Sequence, residues 1–231
     1  MYANDNSKFG RKILSITNSY SGLYDFRKEL LLDLVKDGLE VIVSVPAGHY
    51  QDRIEAIGCK VIPAVLDRRG MNPLKDLKLL STYLRILKDI QPDVVLTYTV
   101  KPNIYGGIAC RFNKTPYMVN ITGLGTAIEN PGMLKMLLLF LYRLSLKKAA
   151  CVLFQNEYNK EFMERHGCTG KTNLLLPGSG VNLEEHPYRN YPSESGEIRL
   201  LSVMLIMKDI YNLNQSVKKC SLRPVENMLL F

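Results

Sequence analysis

The feature that most constrains the fold is a regular alternation of short apolar segments with longer amphipathic ones. The first apolar segment, residues 12–17, precedes a polar turn and then apolar residues at spacings of three and four, which predicts a strand followed by a helix. The same alternation recurs as far as Leu176, and the predicted strands are residues 12–17, 41–45, 60–65, 93–98, 116–121, 151–154 and 172–176. Helical crossovers return each strand in the same direction, so this order predicts an α/β fold with a doubly wound, mainly parallel seven-stranded sheet.

Helices are predicted between these strands from their apolar spacing and from the glycines and prolines that bound them. The predicted helices cover residues 23–34, 50–57, 73–87, 103–112, 133–148 and 157–166. Together with the strands, they account for most of the chain up to residue 176.

Composition changes beyond the seventh predicted strand. Residues 1–180 are assigned to one sheet domain, whereas residues 181–197 are rich in Gly, Pro, Ser, Glu and Arg and are predicted to form a linker. Residues 198–204 predict another strand, but too few residues follow it to build a sheet of its own. We therefore expect residues 198–231 to be an incomplete fragment of a second domain.

The balance of charge predicts an acidic partner. The 231 residues contain 30 Lys and Arg against 22 Asp and Glu, which gives a formal net charge of +8. Nucleic acid, an anionic membrane surface and a phosphorylated small molecule all fit such a charge, as does simple solubility. Nucleic acid is disfavoured because the basic residues are spread along the chain and form no basic and aromatic platform.

Neither cysteine nor histidine shows the spacing of a metal site. The five cysteines are widely separated without a CxxC pair, and the three histidines form neither ExxH nor HxxxH. We therefore expect no metal, no cofactor and no disulfide framework. The polar N-terminus lacks the apolar core of a signal peptide, and no apolar stretch approaches the roughly 20 residues of a membrane span, so a cytoplasmic location is expected.

Polar residues and glycines follow several predicted strands, at the edge where an open parallel sheet binds its ligands. Ser19, Ser21 and Gly22 follow the first strand, where they suit an anion at a helix N-terminus, and the alternative is that Ser21 is simply the N-cap of that helix. This loop lacks GxGxxG, which disfavours a nicotinamide or flavin dehydrogenase. Arg68 and Arg69 follow the third strand and suit a phosphate or pyrophosphate, with a solvated surface pair as the alternative.

Further candidate ligand residues follow the third, fourth and fifth predicted strands, and the glycines among them allow close backbone approach. They are Asn72, Lys101, Asn103, Tyr105, Asn120, Gly123 and Gly125. Because all these clusters lie on one edge of the predicted sheet, together they predict a binding site for an anionic ligand such as a phosphate.

Six segments resemble the GT-B glycosyltransferases of family 4, which build bacterial capsules, O-antigens and lipid-linked oligosaccharides. They occur in the family's order, and they are YDFR (24–27), RGMNP (69–73), PDVVLTYTVKPNIYG (92–106), NITGLG (120–125), FQN (154–156) and GSGV (178–181). The resemblance implies two facing Rossmann-like domains, the N-terminal one holding the acceptor and the C-terminal one a nucleotide-sugar. It also implies hexosyl transfer with retained anomeric configuration and no bound metal.

The same resemblance places reacting groups near two candidate catalytic residues, Lys101 and Thr122. These residues lie at predicted strand tips that would face the cleft. An interdomain hinge is predicted at Gly178, Ser179 and Gly180, where the glycines relax the backbone.

The chain departs from the family pattern near its end. Leu205 stands where the family has a basic residue, Ile210 and Tyr211 replace a Lys-Gly pair that fixes donor phosphates, and a later pair of glutamates is missing. A truncated or frameshifted reading frame is the preferred interpretation. Two functions stay open. The chain is either the N-terminal part of a glycosyltransferase that acts on a lipid-linked glycan in surface polysaccharide synthesis, or a non-catalytic remnant or acceptor-binding subunit that needs a separate donor-binding subunit.

Residues 133–148 predict a basic amphipathic helix. Lys135, Arg143 and Lys147 share one face, and leucines line a broad apolar face. Such a helix can lie in a membrane interface, and the alternative is a helix packed on the sheet with its charges in water. Because the implied acceptors are polyprenyl-linked sugars, we expect these three residues to face the membrane and the chain to attach peripherally to the inner face of the plasma membrane.

Overall fold

Fourteen helices and strands make up the part of the chain that the computed structural model describes, which is residues 11–46, 51–64, 72–125, 128 and 132–188. The strands are β1 (Lys12–Ile16), β2 (Glu40–Val45), β3 (Lys60–Pro63), β4 (Val94–Tyr98), β5 (Tyr117–Ile121), β6 (Cys151–Phe154) and β7 (Asn173–Leu175). The helices are α1 (Tyr20–Lys36), α2 (Gln51–Ala56), α3 (Pro73–Ile90), a π-helix (Pro102–Gly106), α4 (Gly107–Asn113), α5 (Met133–Leu146) and α6 (Glu157–Arg165).

All seven strands form one parallel sheet in the order β3-β2-β1-β4-β5-β6-β7. The central strands are buried on both faces, as five consecutive buried residues of β2 illustrate. The predicted α/β fold with a doubly wound, parallel seven-stranded sheet is confirmed. The order also places β1 beside β4, so the chain winds toward one edge before β4 and toward the other edge after it.

Helices cover both faces of the sheet. On one face, Leu23 and Leu31 of α1 and Ile54 of α2 pack on apolar residues of β2. On the other face, a larger core joins the sheet to α3, the π-helix, α4, α5 and α6, with Tyr83 and Tyr142 among its fully buried side chains. Burial of this apolar surface is the main stabilising contribution to such a layered domain.

One predicted helix differs from its expected form. The segment predicted as a single helix over residues 103–112 is a π-helix followed by α4. The wider turn begins at Pro102, which has no backbone N–H to donate, and the next residue, Asn103, donates its backbone N–H to Thr99 O at 2.9 Å. The predicted strand over residues 60–65 is also shorter, because β3 ends at Pro63.

Buried hydrogen bonds join the π-helix to two neighbouring elements. Asn103 Nδ2 donates to Asn120 O of β5 at 3.0 Å, and Ser145 Oγ of α5 donates to Asn103 O. Tyr117 OH of β5 donates to Ser145 O, so β5 is also hydrogen-bonded to α5. Because these groups are shielded from water, the bonds fix the relative positions of β5, α5 and the π-helix.

A partly buried ion pair joins the π-helix region to α3. Lys101 Nζ lies 2.7 Å from Asp76 Oδ1, and the two side chains are only 14% and 15% exposed. Tyr105 OH donates to the other carboxylate oxygen, Asp76 Oδ2, at 3.0 Å. Burial and the neighbouring Asp76 carboxylate raise the pKa of Tyr105, so its phenol keeps the proton that it donates.

The chain divides into two compact units, residues 1–182 and residues 183–231. The first unit contains the sheet and its helices. The predicted linker at 181–197 is described only as far as residue 188, and residues 198–231 lie outside the described part. The three-part domain assignment therefore stays a prediction. Within the described ranges, no helix combines the length and apolar character needed to cross a bilayer.

A Gly107→Ala substitution should destabilise the domain. A Cβ at Gly107 would overlap Ser145 Oγ and lie 3.3 Å from Tyr117 Cε2, which disrupts the buried contact between α4 and α5. We expect a loss of about 2 kcal/mol, seen in thermal unfolding as a fall in Tm of roughly 6 °C. Gly123→Ala is the matched control, because a Cβ there meets nothing within 4 Å. Equal Tm values for the two variants would contradict the close contact.

An Asp76→Ala substitution should leave the Lys101 amine partly buried without its carboxylate. We expect a loss of about 2 kcal/mol in the free energy of unfolding, measured by urea denaturation. The double variant Asp76→Leu, Lys101→Met removes both charges and should recover most of that loss. A double variant as unstable as the single one would show that the loss comes from the Tyr105 hydrogen bond to Asp76 rather than from the ion pair.

Candidate functional site

A cleft of about 320 Å³ opens at the carboxyl edge of the sheet. It lies at the gap where the strand order reverses between β1 and β4, the usual ligand position in open α/β sheets. The cleft is lined by residues that follow β1, β4, β5, β6 and β7 and by the first turns of α1. These are Thr17, Ser19, Gly22, Leu23, Phe26, Arg27, Tyr98, Thr99, Thr122, Gln155 and Ser179.

The first turn of α1 forms one wall of the cleft. Ser19 is the N-cap of α1, and its Oγ accepts a hydrogen bond from Gly22 N at 3.2 Å. Ser21 Oγ lies 3.1 Å from Ser19 Oγ. The expectation that Ser21 is the N-cap is wrong, because α1 begins at Tyr20 and Ser19 caps it, while Ser19 and Gly22 line the cleft.

Arg27 is a cleft residue that sequence reasoning missed as a ligand residue. The residue is 9% exposed, its guanidinium lies 5.5 Å from the centroid of the Tyr98 ring, and Nη1 donates to Phe26 O at 2.8 Å. Burial raises the pKa of Tyr98 although Arg27 opposes that shift, so the phenol stays neutral and leaves the guanidinium charge uncompensated. The available signal was spacing, since Leu23, Arg27 and Leu31 share the buried face of α1.

Thr99 lies at the end of β4 with a strained backbone. Its φ of 72° is in the left-handed region, which a β-branched residue rarely adopts. Its Oγ1 is buried and has no hydrogen-bond partner among the described residues. Strained residues with unsatisfied polar atoms concentrate at functional sites, and Thr99 lines the cleft.

The ends of β5, β6 and β7 complete the opposite wall. Thr122 follows β5 and lines the cleft, whereas Asn120, two residues earlier, is buried and its Oδ1 has no partner in the described ranges. Gln155 Nε2 donates to Ser179 Oγ at 3.0 Å, which links the end of β6 to the segment after β7. Gly123 and Gly125 lie in the loop after β5. Gly125 has a φ of 76°, in the left-handed region that favours glycine, whereas a Cβ at Gly123 would meet nothing within 4 Å.

The predicted hinge residues flank this wall. Gly178 and Gly180 have φ values of 93° and 76°, which only glycine adopts without strain, and Ser179 between them lines the cleft. Their role as a hinge stays a prediction.

Several predicted site residues lie elsewhere. Lys101 and Tyr105 bind Asp76 and do not line the cleft, and Asn103 belongs to the buried network behind it. Asn72 is the N-cap of α3, where Oδ1 accepts from Leu74 N at 3.0 Å. The structure thus gives these four residues structural contacts. Their roles in binding stay predictions, while Arg68 and Arg69 lie outside the described residues.

Two of the three predicted membrane-facing residues contact α6. Lys135 Nζ lies 5.0 Å from the centroid of the Phe162 ring, and Arg143 Nε donates to His166 O at 2.6 Å. Lys147 is the C-cap of α5 and is exposed. The face of α5 that is open to solvent is therefore more apolar than the sequence indicated.

The described cysteines are not suited to act as reactive groups. The four cysteines in the described ranges are free and buried, and burial raises the pKa of Cys59 and Cys168 to about 11 and that of Cys110 to about 12. Such thiols stay protonated and unreactive at neutral pH. No group of three or more His, Cys, Asp or Glu side chains that could hold a metal occurs among the described residues. Independence from metals stays a prediction.

Comparison with known proteins places this cleft in context. The profile of a family described as "Glycosyl transferase 4-like" matches residues 12–156. The Campylobacter jejuni protein named N,N'-diacetylbacillosaminyl-diphospho-undecaprenol alpha-1,3-N-acetylgalactosaminyltransferase is 30% identical over 175 residues. That match covers 74% of this chain and 46% of the relative, so the chain spans about half the length of the curated protein that it matches.

Solved structures support the same fold. A glycosyltransferase from Rickettsia africae superposes with a TM-score of 0.57 and 16% identity, covering 94% of this chain and 51% of that one. Anabaena HepE in complex with UDP and glucose gives a TM-score of 0.56 and 14% identity, covering 90% and 50%. At such identities these likenesses concern the fold alone, which is that of GT-B glycosyltransferases. Because the family profile covers more than half of the residues, the chain belongs to the glycosyl transferase 4-like family.

Proposed function

We propose that this chain is the acceptor-side half of a glycosyltransferase that transfers a hexosyl group from a nucleotide-sugar to a lipid-linked glycan. The observation that carries the proposal is the cleft at the switch point of the sheet, whose described lining residues, except Ser179, all lie within the family match. The 30% identity to a curated transferase supports the class of reaction.

The lining of the cleft suits part of a sugar. The hydroxyls of Ser19, Thr99 and Thr122 can exchange hydrogen bonds with sugar hydroxyls, while Phe26 and Tyr98 offer apolar ring surface. Pockets of this kind combine apolar walls with a few polar groups that fix orientation. We place the acceptor sugar here, and we assign the nucleotide-sugar mainly to residues beyond this unit.

A relative supports one class of acceptor. The name of the Campylobacter protein gives a diphospho-undecaprenol-linked sugar as its acceptor. We propose that this chain binds an acceptor of the same class, a sugar joined through a diphosphate to a polyprenyl chain. Retention of the anomeric configuration and independence from metals remain parts of the proposal, as do the catalytic roles suggested for Thr122 and Lys101.

A lipid-linked acceptor lies in a membrane, so the protein needs a surface that binds a bilayer. We propose that α5 provides that surface. Its solvent-facing residues include Met133, which is 87% exposed, and Phe140, which is 59% exposed, with Met136 and Leu137 between them. These four residues, the apolar face of α5, lie at helical spacing on one side of the helix. An amphipathic helix with such a face binds in the interface of a bilayer.

Basic and aromatic residues lie beside this face. Arg111 donates to Leu144 O, which brings the end of α4 next to α5, and the neighbouring Phe112 is exposed. Lys147 and Lys148 are exposed at the end of α5. Each basic residue near an anionic bilayer contributes about 1 kcal/mol to binding, so we propose peripheral attachment through α5.

Sugar transfer tests the proposed reaction. The full chain is assayed with a panel of UDP- and GDP-sugars and membrane lipid extract, alone and with the donor half of the Campylobacter relative supplied in trans. We expect transfer to lipid only in the presence of the added half, because the described cleft supplies groups for an acceptor. The donor half without this chain is the control. Absence of transfer in every mixture would contradict the proposed function.

Vesicle binding tests the proposed attachment. Replacing Met136 and Phe140 together by serine should weaken sedimentation with phosphatidylglycerol vesicles by about tenfold or more, because two large apolar side chains no longer enter the interface. Leu30→Ser, on α1 at the opposite face of the sheet, is the matched control and should bind like the wild type. Equal sedimentation of all three proteins, or none by the wild type, would contradict attachment through α5.

A further inference from the structure

We propose that Arg27 makes the cleft a binding site for a diphosphate, an inference that rests on the proposed function and deepens it. The shared chemistry is a pair of linked phosphates, which occurs both in a polyprenyl diphosphate acceptor and in a nucleoside diphosphate donor. Neither the family match nor the named relatives assign a role to Arg27.

The charge of Arg27 is unusual for its position. An arginine residue that is nine-tenths buried is expected to have a carboxylate partner, because burying an unpaired charge is costly. Within the described part of the chain, no carboxylate forms an ion pair with Arg27. A group of this kind is retained where an anion is bound during function.

The cleft around Arg27 has a single sign of charge. Of the eleven described residues that line it, Arg27 alone is charged, and none is Asp or Glu. Ser19, Thr99 and Thr122 line the same space, and Thr99 Oγ1 is buried without a partner in the described ranges. A guanidinium together with hydroxyls, one of them unsatisfied, is a donor set that suits phosphate oxygens.

The geometry of Arg27 also favours a forked ligand. Its guanidinium lies over the Tyr98 ring, which restricts the plane of the group, while Nη1 donates to Phe26 O and the Tyr98 hydroxyl also interacts with the guanidinium. A planar guanidinium carries five N–H donors, so it can still bind two oxygens of a ligand at once, which a lysine ammonium does not. The cleft of about 320 Å³ is at the lower end of small-molecule sites, so a diphosphate with part of a sugar fits it better than a whole lipid-linked acceptor.

Calorimetric titration of the full chain with inorganic diphosphate tests the site. We expect the wild type to bind, Arg27→Met to bind about tenfold or more weakly, and Arg27→Lys to fall between them because it keeps the charge but loses the fork. Arg85→Met, on the exposed face of α3, removes the same charge away from the cleft and should bind like the wild type. Equal binding by Arg27→Met and wild type, or no binding by the wild type, would overturn the proposal.

Thermal unfolding separates binding from a structural role. Arg27→Met removes a buried unpaired charge and keeps most of the side-chain volume, so the Tm should stay the same or rise while diphosphate binding is lost. A fall in Tm that accompanies the loss of binding would assign Arg27 to holding α1 against Tyr98 and would overturn the proposed site.

Two further ligands identify the source of the diphosphate. Tighter Arg27-dependent binding of farnesyl diphosphate than of UDP assigns the site to the acceptor, and the reverse order assigns it to the donor. The outcome is independent of transfer. If the chain fails the transfer assay but binds diphosphate in an Arg27-dependent way, the diphosphate site is supported and the proposed reaction is contradicted. If Arg27→Met transfers sugar with an unchanged KM, the diphosphate site is contradicted and the proposed reaction is supported.

Discussion

The pairing of β1 with β4 determines where this molecule can bind a ligand. The two strands are joined by hydrogen bonds in a register that pairs Ile16 with Thr97, yet the chain leaves them toward opposite edges of the sheet. The loops that follow them must therefore diverge, and a gap opens between Ser19 and Thr99. Any sequence that keeps these two strands paired keeps the cleft, whatever its side chains.

The chemical character of the cleft depends on polar groups behind it. Asn103, Asn120 and Ser145 are buried in a layer that otherwise consists of apolar side chains, and their hydrogen bonds tie the π-helix to β5 and α5. Apolar packing alone would allow small shifts between these elements, whereas buried hydrogen bonds have strict geometry. These hydrogen bonds fix β5 and therefore Thr122, which follows its end. Asn103 and Asn120, which the sequence predicted as ligand residues, thus help to position the cleft.

Sequence periodicity predicted the sheet and its helices because each depends on short-range spacing of apolar residues. Contacts between side chains that are far apart in the sequence could not be predicted from this spacing. Lys101 stands at a strand tip, where a basic residue suggests a ligand, but its partner Asp76 lies on another helix, 25 residues earlier. Arg27 carried the opposite signal, a charge on the apolar face of a helix, and the resemblance to the family included its segment without indicating a role. The wide turn of the π-helix was missed for the same reason, since tertiary hydrogen bonds at Asn103 accompany it.

The side chains of the cleft are suited to binding rather than to proton transfer. A guanidinium and aliphatic hydroxyls do not accept protons at neutral pH, and the phenol of Tyr98 keeps its proton because burial raises its pKa. Glycosyl transfer must remove a proton from the attacking hydroxyl of the acceptor. In the proposed transfer, no carboxylate or histidine among the described residues of the cleft can take that proton, so we expect a residue outside this lining or a phosphate oxygen of the donor to accept it.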